Sequence, residues 1–149
     1  MNSKFHIAVF ASGTGTTLQT LIDNQAEYGY HVALMVSNRS CAALERAACY
    51  NIPSIQTKDW EAIHQALVDN QIQLIVLAGF LAIIPEWVCQ QWERRIINIH
   101  PSLLPNGRGP WPMPTAILRG IDSGVTLHKL TDKIDEGDII LQEIIPADP

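Results

Sequence analysis

Cysteine is scarce in this chain, and no spacing pairs what there is: Cys41, Cys49 and Cys89 are odd in number and form no C-x-x-C. Such a set argues against a disulfide framework and fits reduced thiols in a cytoplasmic protein. All three read as small packing residues rather than nucleophiles. Positive charge is also thin. Ten Lys and Arg stand against fifteen Asp and Glu, for a net charge of −5, and the basic residues are scattered except for Arg94-Arg95. The electrostatic footprint of a nucleic-acid binder is missing, which weighs against a tRNA partner. No apolar run is long enough to cross a bilayer, and Met1-Asn2-Ser3-Lys4 leads into a short apolar strand rather than a signal peptide. No His, Cys or carboxylate set has zinc-ligand spacing, so no metal is expected.

What is there suffices for one core. The 149 residues are 47% apolar, without repeats or linkers, and the expectation is a single domain over 1–149. Strand-like runs alternate with helix-like segments, the pattern of parallel strands joined by helical crossovers. Strands are predicted at 7–10, 32–36, weakly at 55, then at 74–78, 96–99, 125–130 and 138–145. Helices are predicted at 17–24, 42–50, 60–70, 86–92 and 115–119. The fold class is α/β, a Rossmann-like open, mostly parallel sheet with helices on both faces. Leu74-Ile75-Val76-Leu77-Ala78 is apolar throughout and reads as a central strand buried on both sides.

Two polar residues interrupt the end of one apolar strand at period two, in Ile97-Asn98-Ile99-His100-Pro101. Residues i and i+2 of a strand share a face, so Asn98 and His100 point the same way from its carboxyl end, where open α/β sheets place ligands. An amide N–H beside an imidazole can stabilise an oxyanion and shuttle a proton. Either residue alone would more simply satisfy backbone groups where strand meets loop. The pair, followed by Pro101-Ser102-Leu103-Leu104-Pro105, reads as a site.

A second candidate is the loop Gly13-Thr14-Gly15-Thr16-Thr17, between the first strand and its helix. Glycines allow close backbone approach, and N–H groups at a helix start together with three Thr hydroxyls can bind phosphate. It is not a Walker A loop, because no Lys follows, nor a full dinucleotide fingerprint, because Leu18 stands at the third glycine position. A third is Gly79 to Pro85, after the central strand, where Leu81, Ala82, Ile83 and Ile84 either line a pocket or pack the core. Asp135, in the polar turn from Thr131 to Asp138, reads on composition alone as solvated surface. His6, His31 and His64 read as surface or strand-edge residues.

The stretch Asn98-Ile99-His100-Pro101-Ser102-Leu103-Leu104-Pro105 resembles the signature of the formyltransferases that use 10-formyltetrahydrofolate. The likeness continues through Ser12 to Gln19, Val36-Ser37-Asn38-Arg39, Leu77-Ala78-Gly79-Phe80, Gly124-Val125-Thr126-Leu127-His128 and Ile134-Asp135-Glu136-Gly137-Asp138. It implies the formyltransferase fold, with further strand and a C-terminal helix in the family beyond the point where this chain closes. It implies 10-formyltetrahydrofolate as co-substrate, no metal, small-molecule substrates, a cytoplasmic setting and a monomer or homodimer. Asn98, His100 and Asp135 are the implied catalytic residues, with Asp135 facing the imidazole and keeping it charged. Gly13, Thr14, Gly15, Thr16 and Thr17 are implied for substrate phosphate, with Thr17 where Asn is usual. Leu81, Ala82, Ile83, Ile84 and Asn98 are implied for folate, with Ala82 where Arg is frequent. His128 is read as structural, bonding the Asp135 loop, and a cis peptide is expected before Pro105.

The resemblance implies a primary amine as acceptor, and the likeness of the N-terminal half favours 5-phosphoribosylglycinamide in purine biosynthesis. Leu104 to Pro112 is more like the loop of family members acting on amino sugars or on methionyl-tRNA, and with charge weighing against tRNA a nucleotide-linked amino sugar is the alternative. A catalytically silent folate- or phosphate-binding module is the third reading.

Overall fold

The structure is a computed structural model that describes residues 3–105, 122–131 and 137–145. Seven strands form one sheet: β1 (Phe5–Phe10), β2 (Tyr30–Ser37), β3 (Ser54–Gln56), β4 (Leu74–Leu77), β5 (Ile96–His100), β6 (Ser123–Lys129) and β7 (Ile139–Ile145). Their order is β3-β2-β1-β4-β5-β6-β7, parallel from β3 to β5 and antiparallel across β5-β6 and β6-β7. Four helices connect the parallel part: α1 (Thr16–Tyr28), α2 (Ala42–Cys49), α3 (Trp60–Asp69) and α4 (Glu86–Gln91). The expected α/β class and mostly parallel sheet are present. The predicted helix at 115–119 falls outside the described residues.

Period two sorts the strand side chains onto two faces. One face carries Ala8, Phe10, Val36, Ile75, Leu77 and Ile96 against Ile63 and Leu67 of α3 and Val88 of α4. The other carries Ile7, Val9, Val32, Met35 and Val76 against Leu18 and Ile22 of α1 and Ala43 and Ala47 of α2. Burying such aliphatic side chains contributes roughly 1.5–3 kcal/mol each. The apolar positions of α3 fall three and four residues apart, and Asp59 caps it by accepting from the amides of Glu61 and Ala62. No helix among the described residues is long and apolar enough to cross a membrane.

Cys49, at the end of α2, is exposed and so is not the packing residue the sequence suggests, whereas Cys41 and Cys89 are half-buried. The last turn of a surface helix simply turns that position outward. His64 is also not a plain surface residue, since its Nδ1 accepts the Trp92 indole N–H at 3.2 Å and joins α3 to the end of α4.

Candidate functional site

The chain leaves β1 toward β2 on one side of the sheet and later returns through β4 on the other, which opens a crevice at the carboxyl ends of β1 and β4. The glycine loop follows β1 and residues 78–84 follow β4. A cleft of about 330 Å³ is lined there by Gly13, Thr14, Gly15, Thr16 and Thr17, with Gly79, Ile99, Pro101 and Val125 opposite. The α1 N-cap is Gly15 at φ 77°, with no side-chain cap. Among the described residues no acceptor takes the N–H groups of Gly13 to Thr17, and the hydroxyls of Thr14, Thr16 and Thr17 have no partner. Unengaged donors at a helix start present positive potential to the cleft.

Gly15 has a second constraint, invisible in the sequence. A Cβ there would sit 2.8 Å from both Cα and Cβ of Ala43, so the loop rests directly on α2. The glycine is needed for this contact as much as for any ligand.

Asn98 and His100 share the sheet face that carries Ile96, the side of α3, α4 and the 80–84 segment, while Ile97 and Ile99 pack on the α1 side. The pair is therefore together, as its spacing predicts. It stands across the sheet edge from the glycine loop, with Ile99 and Pro101 between them. His100 is buried, and its ring lies 6.5 Å, edge to face, from that of His128. Asp135, the third implied catalytic residue, lies outside the described residues, as do Arg108 and Trp111.

Among the described residues His128 bonds Asn98 and the Lys129 carbonyl, while residues 132–136, which hold the expected Asp135 partner, lie outside them. Antiparallel pairing sets Asn98 opposite His128 and His100 opposite Thr126. His128 Nδ1 lies 3.0 Å from the Lys129 carbonyl, which can only accept, so Nδ1 carries the proton. In the neutral ring Nε2 is then an acceptor, and it takes an N–H from Asn98 Nδ2 at 3.1 Å. That bond orients the carboxamide, leaving its second N–H available.

Thr126 went unremarked in the sequence, yet it organises the turn after His100. Its hydroxyl donates to Ser102 O at 2.6 Å and accepts from Leu104 N at 3.1 Å and Gln142 Nε2 at 3.0 Å. Gly124 makes room for Leu103, whose Cδ2 would lie 2.5 Å from an added Cβ. Leu104-Pro105 is cis, as expected. Gly124, Thr126 and His128 thus act from one face at period two, a signal that alternation within Gly-Val-Thr-Leu-His could have supplied.

Within residues 78–84, Ala78, Phe80 and Ile84 pack against the core. Leu81 and Ile83 are exposed, Ala82 and Ile84 half-buried, and Phe80 packs edge-on against Phe10 and Trp60. Ser12 ties this segment to the glycine loop: its N–H donates to Gly79 O at 3.0 Å and its hydroxyl accepts from Leu81 N at 2.9 Å. Among the described residues, no group of three His, Cys, Asp or Glu could hold a metal.

Three comparisons bear on this geometry. Residues 5–149 match the family described as formyl transferase. The trifunctional purine biosynthetic protein adenosine-3 of Chironomus tentans is 37% identical over 96% of the chain, which spans 12% of that protein. Phosphoribosylglycinamide formyltransferase of Bacillus subtilis is 34% identical over 95% of the chain and 79% of its own length. A crystal structure of phosphoribosylglycinamide formyltransferase from Anaplasma phagocytophilum superposes with TM-score 0.92 at 33% identity, covering 97% of this chain and 73% of that one.

Proposed function

The chain belongs to the formyl transferase family, and on that premise we propose that it moves a formyl group from 10-formyltetrahydrofolate to the amine of 5-phosphoribosylglycinamide. The acceptor amine attacks the formyl carbon, making a C–N bond and a tetrahedral oxyanion. The free N–H of Asn98 and the imidazole of His100 hold that oxyanion, and donors of this kind are commonly worth ~3 kcal/mol each. Collapse breaks the bond to N10, and the proton lost by the attacking amine ends on N10. By the family resemblance Asp135 assists this relay. The acceptor's phosphate takes the N–H groups and hydroxyls of residues 13–17, and the pterin lies along 81–84, on the face of Asn98 and His100. Reduced thiols at Cys41, Cys49 and Cys89 suit a cytoplasmic setting.

The observation that carries this reading is the division of the crevice. Open N–H groups face it from the α1 side, and an oriented carboxamide beside an imidazole stands on the other, so two substrates can meet at the carboxyl end of β5. Turnover with 10-formyltetrahydrofolate and a panel of 5-phosphoribosylglycinamide, a nucleotide-linked amino sugar and methionyl-tRNA tests it. Formylation of the first alone is expected. Preference for the amino sugar would reassign the acceptor, and folate binding without turnover on any amine would overturn the reading.

A further inference from the structure

Three consecutive carbonyls of the glycine loop are held from the α2 side. Arg39, between β2 and α2, donates Nε–H to Ser12 O at 2.8 Å. The Ala43 amide donates to Gly13 O at 3.1 Å. Arg46, on α2, donates Nε–H to Thr14 O at 2.7 Å and places Nη1 3.4 Å from Gln19 Oε1. A planar trans peptide points its C=O and N–H in opposite directions. Each of these bonds therefore sets the direction of the next N–H, those of Gly13, Thr14 and Gly15, which have no acceptor among the described residues. A flip of any of the three peptides would instead present a carbonyl oxygen to the ligand and repel an anion. Arg46 is half-buried, and no carboxylate among the described residues pairs with it. Its bonding is spent on the loop, not on an ion pair.

We propose that Arg39 and Arg46 are positioning residues for the phosphate of the acceptor, holding the carbonyls of Ser12 and Thr14 toward α2 so that successive loop N–H groups converge on one anion. This rests on the reading of residues 13–17 as the phosphate site, and the test separates the two. The probe is inorganic phosphate, titrated into 15N-labelled protein while the amide signals of residues 13–17 are followed, with Val9 and Val36 as reporters of the intact core. In the wild type the loop signals shift and saturate. In Arg39→Gln/Arg46→Gln phosphate binding weakens about tenfold, and without phosphate the Gly13, Thr14 and Gly15 amides lose their rigid order parameters. Should the double variant disturb Val9 and Val36, Arg39→Gln alone, at an exposed side chain, carries the test with a loss of about threefold. A wild-type loop that ignores phosphate overturns the phosphate site and this proposal with it. Unchanged affinity in the variants overturns the proposal and leaves the phosphate site standing. Weaker binding with the loop still rigid shows that the guanidiniums act by charge alone, and also overturns it.

Discussion

Asn98 Nδ2 donates to His128 Nε2 across 3.1 Å, between neighbouring antiparallel strands. A histidine fixed by its own Lys129 carbonyl thus determines which way a carboxamide faces. The predicted consequence is kinetic. Asn98→Ala removes the proposed oxyanion donor and should lower kcat roughly 100- to 1,000-fold, and His128→Ala, which removes the bond that orients the carboxamide, roughly 10-fold or more. The double variant should fall no further than Asn98→Ala, because both changes remove one function. Losses that multiply in the double variant would separate the two residues.

The two glycines of the loop should behave differently. A Cβ at Gly13 meets nothing within 4 Å, whereas at Gly15 it collides with Ala43 in a backbone at φ +77°. Gly15→Ala should destabilise by about 2 kcal/mol or more, from left-handed strain plus overpacking. Gly13→Ala should keep the wild-type urea midpoint and raise the acceptor's KM without changing that of the formyl donor. Urea unfolding beside steady-state kinetics checks both, and equal stability losses would contradict the assigned contacts.

Ser12 links the glycine loop to the 79–81 segment. Fully buried, it donates to Asn38 Oδ1 at 2.6 Å and receives the Leu81 amide. Ser12→Ala strands that amide and the Asn38 oxygen, at a cost of roughly 1–3 kcal/mol. It should also raise both KM values together, since the loops on either side of the crevice lose their common fastening. A change in one KM alone would show that the loops are set independently.

Stability should also respond to His31, on β2. Burial first, then His6 and Lys4, hold its imidazole below the ordinary value of 6.5. Between the lowered native value and 6.5 the unfolded chain binds more protons, so stability falls as pH drops through that window and levels off below it. Thermal melts from pH 8 to pH 4 should show a shallower decline for His31→Gln than for wild type over that interval. Parallel curves would remove His31 as a source of the slope.

Much of the fold was legible because its code is local. Apolar alternation and the uniform run at 74–78 marked the parallel strands, and β4 does lie fourth of the seven. Where pattern failed, the local signal was weak. Helix α1 runs to Tyr28, past its predicted end at 24, because Gln25-Ala26-Glu27 carries no apolar stripe; Gly29 in the left-handed region stops it. Strand β3 is short and half-exposed at the sheet edge. For the site, period two put Asn98 and His100 on one face. The groups that hold the site in place, His128 on Asn98, Thr126 on the turn after His100, and Ser12 and the two arginines on the glycine loop and the 79–81 segment, are ordinary residue types whose partners lie tens of positions away. No spacing announces such contacts.

The antiparallel return of β6 divides the site between two stretches of the chain. All residues that open the crevice from β1 and β4 belong to the first hundred positions, and those strands pair in parallel without help from β6. The partner of Asn98 and the hydroxyl that secures the turn after His100 arrive only when β6 docks. A chain lacking that last pairing would therefore keep both crevice loops without an aligned carboxamide.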